Sequence, residues 1–564
     1  MNGWQWNVLP PAPAEYLAAN PDLSPLFAQI LYNRGLTDPS RVASFLSAEE
    51  YFSTDPFLLS GMHKAVARTY RALLSGENIA IYGDFDTDGI TATTLLVQGL
   101  KQLGGKVSPY LPHRLNEGHG VQTGVLDSLY REGVSLVITV DCGITAVDEV
   151  RRAKKKGLDV IITDHHTCPD ELPPAVAVVD PKLPGSQYPF VELAGVGVAF
   201  KFLQVLLKSI GKEEMLDNLF DLVALGTIAD VMPLVGENRY LVKKGLSQMN
   251  NTPRPGIAAM ARQANLAIGK LNAESVSWVI SPRLNTTSRL GHAMPSYQLL
   301  VTDSNEEAKE LSLWLEHKNA ERQKITGEVI ARAREQILTE GIAPILFAVD
   351  EEYPAGVIGL AAGRLREEFY RPAVVVKSGR QTSTGSCRSI PEFNITEALT
   401  DCRGLLSKFG GHPQAAGFTI PTRYLPSLKK ELLSIASRGL EGVDLRPRID
   451  IDAEVELPEL GGDTYYSIEK LAPFGKGNPQ PVLFSRRVKV IDVRAVGNNE
   501  THLKLKFRQE GTTWDGIAFN VGSRIERVSS PMDIVYHLEV DSWNGAEKLR
   551  LNILDFCPSR QRVS

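Results

Sequence analysis

The sequence predicts an α/β protein with four parts: a largely parallel sheet, a long connecting helix, a second α/β domain and a C-terminal OB-like β-barrel. Three observations carry this. From Phe52 to about Arg254, strand-length apolar runs such as IAIYG, SLVITVD and DVIITD alternate with helical stretches such as ITATTLLVQGLKQLG, the pattern of repeated βαβ units. Residues 304–340 hold no proline and space their apolar residues helically, which predicts a long amphipathic helix or a helix pair. Beyond residue 445, several short segments alternate polar and apolar residues, as the strands of a small barrel do.

The 564 residues exceed what one core accommodates, so several domains are expected. A hydrophobic content of 43% and a charged content of 23% are those of an ordinary globular protein. No apolar run approaches the ~20 residues that span a bilayer, and the first residues lack the basic head and apolar core of a secretory signal. Five scattered cysteines without metal-like spacing suit a reducing cytoplasm. A net charge of -5 does not advertise nucleic-acid binding, yet an acidic metal site can sit beside a local basic track.

Taken in order, residues 1–50 read as short helices broken at prolines, a helical cap or docking surface without chemistry of its own. The next stretch, NIAIYGDFDTDGITATT (Asn78–Thr94), is the chemical centre of the chain. Its strand-like run ends at Asp84, Asp86 and Asp88, followed by Gly89 and a helical segment. Ligands of open α/β sheets bind at that strand edge. Carboxylates so crowded raise one another's pKa unless a cation neutralises them, and hard divalent cations take oxygen ligands. A solvated acidic turn is the plain alternative. A calcium loop is the other, but its twelfth position requires a bidentate Glu and here is Leu95, and a strand precedes it instead of a helix.

Two further strand-like runs end in metal-competent side chains: SLVITVD at Asp141, and DVIITD at Asp164, followed by His165 and His166. One strand-terminal Asp is commonly a helix N-cap; three such ends in one sheet argue for a common site. Asp230 follows the apolar stretch LFDLVALGTIA, where a buried carboxylate needs a partner and a metal would serve.

At these residues the chain resembles a known family. GDFDTDG, VDCGI, TDHH and GTIADVMPL resemble motifs one to four of the DHH phosphoesterases, and their order and spacing resemble the RecJ-type 5′→3′ exonucleases. LAGVGVAFKF, SPRLNTTSRLGH, GVIGLAAGRL, GSCRSI, FGGHPQAAG and LAPFGKGNPQPVLF extend the likeness over nearly the whole chain after residue 25. The resemblance implies an N-terminal helical segment (1–50), a DHH catalytic domain (51–260), a connecting helical region (261–340), a DHH-associated domain (341–440) and an OB-fold (445–564). It implies a two-ion centre on Asp86, Asp88, Asp141, His165 and Asp230, bridged by Asp141, with Asp84 either a ligand or a support behind the ligands. His166 would orient a ligand or reach the substrate phosphate or leaving group. A carboxylate-rich set with one or two imidazoles and no thiolate suits Mg²⁺ or Mn²⁺. Two ions so held would activate water and neutralise phosphate charge.

For the substrate, the resemblance places Ser386 and Arg388 in a 5′-phosphate pocket, His412 near the scissile bond, and Arg114, Arg283, Asn285 and Arg289 along the strand. Rim ion pairs are the ordinary alternative for such arginines, and a turn for Gly410–Gly411. In the barrel, Arg486, Arg487, Lys489, Lys504, Lys506 and Arg508 supply charge, and Phe519 and Trp543 are candidate stacking platforms, with a barrel-core role as the alternative. Three places depart from the family pattern: Thr286, Thr287 and Ser288 replace small residues, Pro354 stands where a His is expected, and His119 where a Tyr is common. Added bulk at 286–288 could alter strand passage.

The function expected is a cytoplasmic, monomeric exonuclease that degrades single-stranded DNA 5′→3′ to 5′-mononucleotides. Roles in repair and recombination, and a single-strand-binding protein as partner, follow from the resemblance. An oligoribonucleotide or cyclic-dinucleotide phosphodiesterase, or a non-catalytic single-strand-binding scaffold, are the alternatives. An extended barrel argues against the first and an intact acidic cluster against the second.

Overall fold

The apolar runs between residues 78 and 179 pair into a five-stranded parallel sheet. In this computed structural model, which describes residues 3–47, 54–114, 117–541 and 547–559, the strands lie in the order Lys106–Tyr110, Asn78–Gly83, Val134–Val140, Asp159–Thr163, Ala177–Val179. The chain leaves Asn78–Gly83 for one side and returns to pair Val134–Val140 on the other. The order therefore reverses between these two strands, where α/β sheets open a crevice at their carboxyl ends. Ile79, Ala80, Ile81 and Tyr82 are buried, as a strand covered on both faces requires.

The helix Thr87–Gln102 is buried almost all round. It packs between Gly195–Lys208 and Phe220–Ala229, and at Gly99 the side chain of Leu203 comes so near that an added Cβ would lie 2.4 Å from it. Its apolar character on every side is thus explained by three-way packing. Residues 305–340 form one uninterrupted helix, Asn305–Glu340, 36 residues long, which settles helix against helix pair. Ser304 caps its start.

The second α/β domain is a mixed sheet. Leu346–Asp350 and Ala373–Lys377 pair in parallel around the helix Ile358–Phe369. Thr382–Arg388, Ala415–Pro421 and Lys408–His412 then add antiparallel. Gly410 and Gly411 lie within the edge strand Lys408–His412, so they do not form the turn held open above; Gly411 pairs with Ala416 at φ 146°.

The chain divides into two compact units, and all of the above belongs to Thr54–Met232 and Leu241–Leu445. The other unit joins Met1–Ser53, Pro233–Tyr240 and Arg446–Ser564. Its five principal strands close on themselves: Leu483–Val496, His502–Gln509, Thr512–Ala518, Lys548–Pro558 and Met532–Asp541 follow in that order, and the last pairs back to the first. That is a closed five-stranded barrel. Leu503, Leu505 and Phe507 point inward, while Lys504, Lys506 and Arg508 alternate outward. Phe519 is 45% exposed, with the Arg550 guanidinium 6.0 Å from its ring centre, so it is no core residue; Trp543 lies outside the described residues. The N-terminal helices are part of the barrel's packing. Phe27, Ile30, Leu31, Val42 and Phe45 share its core, and Gln5–Val8 pairs in parallel with Arg448–Ile451. Among the described residues no helix is long and apolar enough to cross a membrane.

Candidate metal centre

Each acidic motif ends a strand or helix, and the sheet's crevice brings the ends together. Asp86 is the N-cap of the helix Thr87–Gln102, its Oδ1 accepting from the Asp88 and Gly89 amides at 3.0 and 3.2 Å. The capping role thus leaves Asp86 among the side chains that could hold a metal. Asp88, one residue into that helix, is buried, and its carboxylate accepts from the Gly195 and Val196 amides at 2.7 and 2.9 Å. These are the first amides of the helix Gly195–Lys208, whose dipole favours a negative charge there. Asp141 follows the strand Val134–Val140 at φ 58°, a left-handed conformation unusual outside glycine, and its amide donates to the Thr163 carbonyl. Asp230 caps the end of Phe220–Ala229, its side chain 31% exposed.

The metal-competent atoms fall into overlapping groups whose members lie within 4.8 Å of one another: Asp84, Asp86 and Asp141; Asp88, His165 and Asp230; Asp141, His165 and His166. His165 Nε2 is 3.1 Å from Asp141 Oδ1, 3.6 Å from Asp230 Oδ2 and 3.9 Å from Asp88 Oδ2. Asp141 and His165 each belong to two groups, so the cluster has the composition of two adjoining cation sites.

Electrostatics gives the same account. Burial, then repulsion by Asp230 and Asp86, holds the Asp88 carboxyl well above the usual range. Burial, then Asp88, Asp86, Asp230 and Asp84, does the same to Asp141. Asp86 is raised by burial and by Asp84. Burial and the neighbouring His166 bring His165 down to about 3, leaving a neutral imidazole, the form that ligates a cation. Asp84 Oδ1 is buried without a hydrogen-bond partner. A group of mutually repelling carboxylates around such an imidazole fits divalent cations and little else.

Asp164 is the residue whose role sequence reasoning missed. Its Oδ2 accepts from the Ile144 amide, and its Oδ1 accepts from the His165 and His166 amides and lies 2.7 Å from His166 Nδ1. It therefore fixes both histidines. Burial pushes Asp164 up, but the hydrogen bond and charge of His166 prevail and hold it below the usual range. His166 shows the converse: burial pulls it down, yet Asp164 raises it to about 9. His166 is thus a partly exposed imidazole whose protonated form Asp164 favours, placed beside the acidic cluster. His119 was likewise given no role, and its Nδ1 lies 3.2 Å from Asp84 Oδ2. Its position within EGHGV, close after the acidic motif, was the available signal.

Within electrostatic reach of the cluster stands a group of arginines. Burial and the charges of Arg114, Arg322 and Arg388 lower Arg289 to about 9, against the pull of Asp86. Arg114 is also lowered by burial, opposed by Asp86 and Asp84, and its guanidinium stacks 4.8 Å from the Phe85 ring centre. Arg388 donates to Ser386 Oγ at 3.3 Å. A Cβ on Gly359, in the first turn of the helix Ile358–Phe369, would lie 3.0 Å from Ser386 Oγ and 3.2 Å from Arg388 Nη2. A serine hydroxyl, an arginine fork and a helix start thus converge, the usual equipment for an anion. Buried arginines that repel one another need an anion as acids need a cation.

Of the residues expected at the site, the structure gathers Asp84, Asp86, Asp88, Asp141, His165, His166 and Asp230. Asn285 joins them, its Oδ1 accepting from the Thr87 amide at 2.9 Å. Arg283 is engaged by Glu316 at 2.6 Å, the ordinary ion pair held as its alternative, and His412 ends the exposed edge strand Lys408–His412. Thr286, Thr287 and Ser288 are buried, with hydroxyls bonded to the carbonyls of Pro282, Leu284 and Asn285. Their added bulk faces the core, so the expected effect on strand passage has no steric basis.

Comparison with known proteins completes the description. Residues 78–227 match the family model described as DHH family, N-terminal domain, residues 342–438 the DHHA1 domain, and residues 451–555 the RecJ OB domain. The chain is 38% identical over 546 residues to the single-stranded-DNA-specific exonuclease RecJ of Bacillus subtilis, covering 96% of this chain and 69% of that one. A crystal structure of RecJ from Thermus thermophilus in complex with Mn²⁺ superposes with a TM-score of 0.84 at 30% identity, covering 99% of this chain and 80% of the other. The Mg²⁺ complex of the same protein gives 0.79 at 29% identity, covering 99% and 79%.

Proposed function

This chain belongs to the RecJ family, and on that ground we propose that it is a metal-dependent exonuclease that degrades single-stranded DNA 5′→3′ to 5′-mononucleotides. One observation carries the reading: a buried acidic cluster with a neutral His165 faces buried arginines around Ser386 and Arg388. Such a pairing suits a phosphodiester held between cations and a terminal phosphate. Asp84, Asp86 and Asp141 would hold one Mg²⁺ or Mn²⁺, and Asp88, His165 and Asp230 the other, with Asp141 shared. Ions so held would supply an activated water and neutralise charge on the phosphate.

The remaining steps belong to the chain itself. Asp88 is fixed by the Gly195 and Val196 amides, and Asp164 fixes His165 and His166. His166, whose protonated form Asp164 favours, stabilises the phosphate or protonates the leaving oxygen. Ser386 and Arg388 receive the 5′-phosphate, with Arg114 and Arg289 between that pocket and the acids, which sets the polarity of attack. Arg283 would line the path of the strand, and His412 would stand near the scissile bond.

The closed barrel with its outward Lys504, Lys506 and Arg508 suits single-stranded nucleic acid, and a dinucleotide needs no such barrel. Domain limits of 1–50, 51–260, 261–340, 341–440 and 445–564, a monomeric state, a cytoplasmic location, work in repair and recombination and a single-strand-binding protein partner complete the proposal. The test is a 5′-phosphorylated, 3′-labelled single strand with Mn²⁺ or Mg²⁺, alongside Asp141→Ala, duplex DNA and matched RNA. Stepwise loss from the 5′ end to mononucleotides, confined to single-stranded DNA, metal and the unmutated protein, is expected. Tight binding without metal-dependent loss would overturn the reading.

A further inference from the structure

The segment Ala273–Leu290 is helical throughout, with a π-helical stretch at Val276–Ile280 leading into Ser281–Leu290. One side of it is core: Val276, Ile280 and Leu284 are fully buried. Trp278, Pro282, Asn285 and Arg289 follow one another at helical spacing and form a stripe on the side away from that core, Trp278 exposed and the other three partly covered. Two members of that stripe are at the site already described. Asn285 bonds the Thr87 amide at the acidic cluster, and Arg289 bonds the Gly356 carbonyl and feels both Asp86 and Arg388.

Trp278 continues the same stripe away from the arginines, seven residues before Asn285, a rise of roughly 10 Å. It is 68% exposed, the most exposed tryptophan side chain among the large hydrophobics of the described residues. An indole left this open in water, in a π-helical turn of the kind that recurs at functional sites, is not explained by packing. Every nucleobase offers a π-face to such a side chain.

We infer that Trp278 is a base-stacking platform for the single strand on the 3′ side of the scissile phosphate. This rests on the exonuclease reading above. Its polarity follows from the stripe: Arg289 stands toward the Ser386–Arg388 pocket for the 5′ end, Asn285 at the acids, and Trp278 beyond them. The rise corresponds to about three stacked bases of ~3.4 Å, which places the stacked base two to four nucleotides from the cleaved bond. By holding the uncleaved strand, the indole contributes to binding and leaves the chemical step alone.

The test compares wild type, Trp278→Ala and Trp278→Tyr on 5′-phosphorylated single strands with one abasic site at each of positions two to five. Binding is read separately by anisotropy with a phosphorothioate strand that resists cleavage. Trp278→Ala is expected to weaken binding and raise KM about 5- to 100-fold, with kcat within about twofold, and Trp278→Tyr to recover most of it. At one abasic position wild type should lose as much as Trp278→Ala does, and Trp278→Ala should lose nothing more. Unchanged binding by Trp278→Ala, or equal further losses at every abasic position, overturns the platform. If wild type binds strands through Trp278 yet leaves cleavable DNA intact, the platform stands and the exonuclease reading falls.

Discussion

Gly195 is a point at which the proposed metal cradle is sensitive to a single methyl group. A Cβ there would lie 2.5 Å from Asp141 Cβ and 2.7 Å from Asp141 Oδ1, about 1 Å inside ordinary carbon–carbon contact. Neither partner has room to yield. Asp141 is buried at φ 58° with its amide bonded to Thr163, and the Gly195 and Val196 amides are holding Asp88. Gly195→Ala therefore shifts one proposed ligand or the other by about 1 Å. A displacement of that size near reacting groups costs about 100-fold in rate, and overpacking a core costs about 1–3 kcal/mol, or roughly 2–10 °C in melting temperature. Gly197→Ala is the control. Its nearest neighbour is Leu193 Cδ2 at 3.3 Å, the end of a side chain that can give, so activity should stay within about twofold. The assay is Mn²⁺-dependent release of nucleotides from a labelled single strand, with melting curves of both variants. Full activity in Gly195→Ala would refute the idea that the Gly195 helix start positions the acids.

Three further outcomes follow from the same geometry. Asp86→Asn keeps the cap on Asp88 and Gly89, since Asn caps as well as Asp, and removes one repelling charge. The Asp86 pKa is raised in the fold, so its charge destabilises at neutral pH and ceases to do so as pH falls below the ordinary carboxylate range; the metal-free variant should melt higher than wild type near pH 7, equal it near pH 3, and gain less from Mn²⁺. His166→Ala should lower turnover about 10²- to 10⁴-fold while the Mn²⁺-induced rise in melting temperature persists. Arg388→Ala removes a charged hydrogen-bond donor worth about 1.5–3 kcal/mol, so kcat/KM should fall roughly 10- to 100-fold on 5′-phosphorylated strands and far less on 5′-hydroxyl ones.

What was legible in the chain is what strand ends announce. Asp84, Asp86 and Asp88, Asp141, and His165 follow apolar runs directly, and parallel strands deliver such ends to one edge. Asp230 was legible as a carboxylate in an apolar stretch. The supports were not, because they come from afar. Gly195 and Asp88 are 107 residues apart, and nothing local marks an amide that will face a carboxylate. A still greater separation hid Gln5–Val8, which pairs with Arg448–Ile451. Arg283 and Arg289 look alike in SPRLNTTSRLGH, but helical rotation turns Arg283 to Glu316 and Arg289 toward Asp86. Thr286, Thr287 and Ser288 read as obstacles until the structure turned them into the core.

Crystals grown with Mn²⁺ and measured at the manganese absorption edge test the two-ion centre most directly. Two anomalous peaks are expected, one among Asp84, Asp86 and Asp141 and one among Asp88, His165 and Asp230, with Asp141→Ala losing at least one. A single peak, or peaks away from these side chains while the enzyme still degrades single strands in Mn²⁺, would contradict it.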